Sequence, residues 1–137
     1  MKNMKRFLVG LIISIVYSCA PVEKNPFVWV GKTEISATGG SSDWRPSSDK
    51  ARIIPTINAI FVSLYDGEGN RTYFEELQYS GETVNGNWYE VLSDTNLIRI
   101  TFMPNTTNYM RMVEVAFEDG TPGGRKIGVK QSPSGDD

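Results

Sequence analysis

Three stretches of this chain place an apolar side chain at every second position, and that spacing constrains the fold more than any other feature. Ile98, Ile100 and Phe102 alternate with Arg99 and Thr101, while Val113, Val115 and Phe117 alternate with Met112, Glu114 and Ala116. Ile127 and Val129 repeat the pattern between Lys126 and Lys130. An extended backbone turns successive side chains to opposite faces, so a period of two describes strands that bury one face and wet the other. No helical period persists anywhere in the body. Upstream, residues 28–38 read as an opening strand that ends at Gly39-Gly40, where paired glycines permit a turn. Residues 57–65 (INAIFVSLY) are apolar on both faces, as a central strand would be. The segment DGEGN at 66–70 reads as a hairpin loop from which residues 71–79 return, and Asn85-Gly86-Asn87 turns the chain into residues 88–92. About seven short strands separated by turns predict an all-β fold. The expected architecture is a two-sheet antiparallel immunoglobulin-like sandwich, although strand spacing also leaves a barrel open.

The amino-terminal end follows a different rule. Lys2, Lys5 and Arg6 precede an apolar run at 7–16 (FLVGLIISIV), which is short for a membrane span and suited to a secretory leader. Val16-Tyr17-Ser18-Cys19 then sets an aliphatic residue and a small residue before the chain's one cysteine. With no second thiol, Cys19 has no partner for an intrachain disulfide. This order resembles the lipobox of bacterial lipoproteins, which implies acylation of Cys19 and its exposure as the first mature residue. Two or more acyl chains make such an attachment stable, whereas one holds only marginally. The expected organisation is a leader at 1–18, a Pro-containing tether at 19–27, a domain at 28–132 and a disordered polar tail at 133–137. The expected address is the cell envelope, lipid-anchored at the outer membrane. The residues after Cys19 hold no acidic run resembling a surface-export signal, which leaves the periplasmic and outer faces both open.

Lys2, Lys5 and Arg6 are the charges of that leader, so of 14 Lys+Arg and 16 Asp+Glu the mature chain keeps 11 and 16, a net charge of about −5. Such a balance, with no basic run, offers no electrostatic footprint for nucleic acid.

The segment EISATGGSS at 34–42 resembles the opening of a BACON-type domain, an immunoglobulin-like module named for its association with carbohydrate-active proteins of gut bacteria. The resemblance continues through Trp88 at a strand start, Asn105-Thr106-Thr107 after a strand end, Arg111 opening the next strand and Val129-Lys130-Gln131 closing the domain. It implies glycan association for the family, without assigning it to residues. The long hairpin at 57–80 departs from the compact family pattern, either as an insertion or as part of the core sheet. Gln131 and Arg111 suit structural roles, the amide satisfying backbone groups at the sheet's end and the guanidinium capping carbonyls.

Histidine is absent from the chain and its cysteine is committed to the anchor, which removes the commonest general base, nucleophile pair and zinc ligands. Glu75 and Glu76 are adjacent in a strand, point to opposite faces and so cannot pair as glycosidase acids. Asp66, Glu68 and Asn70 lack the ligand set of an EF-hand loop and read as a solvated hairpin tip. No enzyme activity, cofactor or metal is expected. Glycan binding asks for exposed rings beside polar side chains. Trp44, in a Ser/Pro/Asp-rich stretch read as a loop, is the ring expected to be exposed, with Tyr73, Tyr79 and Tyr89 as further candidates; Trp29 and Trp88 read as core. The partner is then a polysaccharide or glycoprotein, or alternatively another envelope protein for which the sandwich serves as spacer or accessory subunit.

Overall fold

A computed structural model describes residues 28–48, 52–81 and 83–135. Cys19, the leader and the tether lie outside the described residues. The described chain forms ten strands: β1 (Trp29–Val30), β2 (Glu34–Ile35), β3 (Gly40–Pro46), β4 (Thr56–Tyr65), β5 (Arg71–Gly81), β6 (Thr83–Asn85), β7 (Tyr89–Asp94), β8 (Leu97–Phe102), β9 (Met110–Glu118) and β10 (Arg125–Gln131). They assemble as two five-stranded sheets in the orders β1-β3-β8-β7-β6 and β2-β10-β9-β4-β5. All pairings are antiparallel except β2 with β10. The succession β1-β3-β8-β7 opposite β10-β9-β4 is the A-B-E-D and G-F-C arrangement of an immunoglobulin-like sandwich. The count is ten rather than about seven because the expected opening strand divides, a stretch expected as loop is β3, and the short edge strand β6 joins one sheet.

Alternation fills the space between the sheets. Ile98, Ile100 and Phe102 of β8 face Val113, Val115 and Phe117 of β9, with Ile127 and Val129 of β10 beside them, all buried. Residues 57–65 form most of β4, which lies between β9 and β5, so the long hairpin contributes a central core strand and an edge strand. Ile57 and Ile60 of β4 are completely enclosed.

The opening segment does not run as one strand. β1 pairs with β3 in one sheet and β2 with β10 in the other, so the backbone crosses the sandwich between Val30 and Glu34. Gly31 makes this crossing possible: a Cβ there would lie 2.4 Å from Trp44 Cδ2, inside van der Waals contact. Residues 40–46, expected as loop, are β3, registered on β8 from Gly40 opposite Phe102 to Trp44 opposite Ile98. Small polar side chains concealed its alternation. Ser42 occupies a buried position and its hydroxyl donates to the Lys32 carbonyl, while Asp43 accepts two hydrogen bonds from Arg99 at 2.7 and 3.0 Å. Past β10, the Ser132 N–H donates to Ile35 O at 3.1 Å and the Ser134 N–H to Thr107 O at 2.8 Å, so the beginning of the polar tail is held to the body.

The residues carrying the family resemblance form one polar cluster at this end. Gln131 is fully buried; its Nε2 donates to Met103 O at 2.8 Å and Ser36 O at 3.3 Å. Asn105 Nδ2 donates to Tyr109 O and Ser132 O, and its Oδ1 accepts from the Thr107 backbone and hydroxyl. Arg111 NH1 reaches Pro104 O and Gln131 Oε1 at 3.4 and 3.5 Å, and its guanidinium carbon sits 4.7 Å from the Trp88 ring centre.

Candidate functional site

The two sheets end unequally on one side. β5 spans eleven residues, whereas β6, the edge strand of the facing sheet, spans three. Alternation along β5 turns Tyr73, Glu75, Leu77 and Tyr79 toward the facing sheet, but β6 is too short to cover them. What faces them instead is the turn from Asn85 to Tyr89. Between lies a cleft of about 290 Å³, floored by Val62 and Leu64 of β4.

Both walls are built from local sequence. The β4–β5 hairpin is closed by Asp66, whose Oδ1 accepts the N–H groups of Glu68 and Asn70, each at 2.9 Å. Those N–H donors, Asn70 first, hold the Asp66 carboxyl below its ordinary range, so this group is engaged in shaping the loop. On the opposite wall, the Gly86 N–H donates to Tyr89 O at 2.8 Å, and the Tyr89 ring folds back over Gly86. Trp88 meets Tyr89 edge to face at 5.1 Å and stacks on Phe102 at 5.8 Å, which anchors the turn to the core.

Three of the expected site residues meet in this cleft. Tyr73 and Tyr79 are 45% and 37% exposed, while Tyr89 is buried with its ring forming part of the wall. Burial pushes the Tyr89 phenol up to about 12, reinforced by Tyr79, Glu75 and Tyr73 nearby. The Tyr73 phenol is also raised, first by desolvation and then by the neighbouring Glu75 carboxylate. Trp44 is not part of the site. It is 8% exposed, on an inward position of β3 against Gly31, so the expectation of an exposed ring is corrected. A tryptophan at an inward position of a paired strand is covered by the opposing sheet, whatever the polarity of its neighbours.

Sequence reasoning passed over Glu75, weighed there only as a catalytic acid, and Asn85, Asn87 and Trp88, read as turn and core. The pattern Tyr73-x-Glu75-x-Leu77-x-Tyr79 held the signal for Glu75, since a strand places these four together. Glu76 lies on the outer face, where it accepts from Gln78. The assembled groups are aromatic rings, two amides and one carboxylate. They suit stacking and hydrogen bonding to a polar ligand.

The outer face of β4 and β5 carries a second aromatic group. Phe61 and Phe74 stack at 6.2 Å, with the Arg71 guanidinium 4.7 Å from Phe74 and Lys126 Nζ 4.4 Å from Phe61.

No family model matches the chain, and no curated protein matches it. Among solved structures it is similar to the NMR structure of a protein from Bacteroides thetaiotaomicron. The two are 21% identical over 82% of this chain and 92% of that chain, with a TM-score of 0.58. At that identity the likeness concerns the fold.

Proposed function

We propose that this chain is a non-catalytic, lipid-anchored envelope protein whose cleft between β5 and the β6–β7 turn binds a glycan. The observation that carries the reading is the convergence of Tyr73, Tyr79 and Tyr89 with Glu75, Asn85 and Asn87 around one cleft. Sugar C–H faces stack on aromatic rings while hydroxyls exchange hydrogen bonds with amides and carboxylates. The resemblance to BACON-type domains supports glycan as the ligand class. The lipobox-like segment supports acylation at Cys19 and an outer-membrane address. β1 and β2 are edge strands on the side of the sandwich opposite β5 and β6. Four strand spacings, roughly 19 Å, thus separate the tethered edge from the cleft.

The test is a glycan array followed by calorimetry on wild-type, Tyr73→Ala and Tyr79→Ala protein. The expected result is saccharide binding weakened about tenfold by each substitution, about 1.4 kcal/mol apiece. Retention of full affinity by both variants, or no glycan bound by wild type, overturns the reading. Intact-mass analysis of membrane-extracted protein tests the anchor, with a leader retained on an unmodified thiol as the contrary result.

A second reading has its own observation. Among the described residues no strand pairs with the outer edge of β5, and Phe74 is 47% exposed beside it, a surface suited to another envelope protein. An accessory subunit of this kind would co-purify with a partner and show no glycan affinity.

A further inference from the structure

Resting on the glycan reading of the cleft, we infer that this site selects saccharides carrying a free ammonium group over their neutral or N-acetylated counterparts. The chemistry of the lining is one-sided. Glu75 is its charged residue, and among the described residues neither lysine nor arginine lines the cleft. Four other carboxylates are matched with cations: Asp43 with Arg99 at 2.7 Å, Asp119 with Arg125 at 3.1 Å, Glu114 with Lys126 at 3.5 Å and Glu34 with Lys130 at 3.9 Å. Among the described residues Glu75 has no such cation. Its neighbour is the Tyr73 hydroxyl, which is neutral and leaves its charge uncancelled.

Tyr73, Tyr79 and Tyr89 line the cleft with that carboxylate, and the face of an aromatic ring carries the negative end of its quadrupole. A positive group is attracted to such faces and to Glu75 together. The Arg111 guanidinium lies behind the wall, 4.7 Å from the Trp88 ring centre, where it is 9% exposed and directed at Pro104 O and Gln131 Oε1 rather than at the cleft. It is not among the lining residues. An N-acetylated sugar has lost the cation, and an acidic sugar meets repulsion from Glu75. Asn85 and Asn87 remain for the hydroxyls that all these sugars share.

Calorimetry on the full-length protein at about pH 6 and low salt compares three tetrasaccharides: β-1,4-glucosamine with free amines, its fully N-acetylated form, and neutral β-1,4-glucose. The expected result is at least tenfold tighter binding of the free-amine form, lost on adding about 0.5 M NaCl. Glu75→Gln should bring the three affinities within about twofold, while Glu76→Gln, on the opposite face, should leave the preference intact. Equal binding of all three by wild type, weakened by Tyr79→Ala, overturns the selectivity and leaves the glycan cleft standing. Preference for the amine that survives Glu75→Gln overturns the role of the carboxylate. Binding of none of the three overturns the inference, and the glycan array then decides the cleft itself. Glu75 is exposed, so matching melting temperatures for the two Gln variants show that any affinity change is local.

Discussion

Asp119 shows how much a single side chain can organise. It is buried at the end of β9, and its Oδ2 accepts from Trp29 Nε1 at 2.9 Å and from Arg125 Nε at 3.1 Å. Its Oδ1 accepts from the Thr121 N–H and hydroxyl. The carboxylate thus ties β1 of one sheet to the β9–β10 loop of the other, beside the edge-to-face contact of Trp29 and Phe117 at 5.0 Å. Burial alone would raise its pKa, but the donors from Thr121, Trp29 and Arg125 outweigh it and hold the group at about 2, against 3.8 unperturbed. A carboxyl depressed in the folded state stabilises above its unfolded pKa. That contribution, about 2 kcal/mol, should fade as pH falls from about 5 toward 2. Urea titrations across this window check it: the stability gap between wild type and Asp119→Asn narrows on acidification, and a constant gap contradicts the assignment. Gly86 makes the second residue-scale case. A Cβ there would lie 2.1 Å from Tyr89 Cε1, so Gly86→Ala should cost about 1–3 kcal/mol and displace the ring that walls the cleft. Thermal melts and the fluorescence of neighbouring Trp88 report both effects.

At the level of elements, legibility followed neighbourhood. The inward faces of β8, β9 and β10 were readable because each alternates strongly and each lies against core along its length. β3 was not, because Ser42 and Asp43 give a buried strand the composition of a loop. The division of the opening strand was equally hidden, since it depends on Trp44, thirteen positions after Gly31, occupying the space beside that glycine. β5 was found as a strand, and Tyr73 and Tyr79 as sharing a face. That this face meets the Asn85–Tyr89 turn rather than a full strand depends on the shortness of β6. β5 also carries a prediction. As an edge strand it offers alternate N–H groups to β4 and to the outside, so hydrogen exchange should show two classes of amide along it, with β4 protected throughout. Uniform protection across β5 would mean that a partner or second copy covers the edge.

As a whole, the molecule is two twisted sheets about 10 Å apart whose cohesion comes from the apolar side chains between them. Ile60 is fully enclosed in that layer, whereas Val30 is 61% exposed at a sheet edge. Ile60→Ala should therefore cost about 2–5 kcal/mol and Val30→Ala less than about 0.5 kcal/mol, as measured by equilibrium urea unfolding. Comparable losses at the two positions would mean that the core lies elsewhere. What the sequence determined by itself was the strand, its faces and the sandwich class, together with the three tyrosines worth watching. Those follow from alternation, a local property of extended backbone that needs no knowledge of partners. Tertiary structure alone decided that Trp44 is covered, that Glu75 joins the tyrosines in one cleft and that the chain changes sheets at Gly31. Exposure and convergence are set by whichever segment stands opposite, and that partner is not a neighbour along the chain.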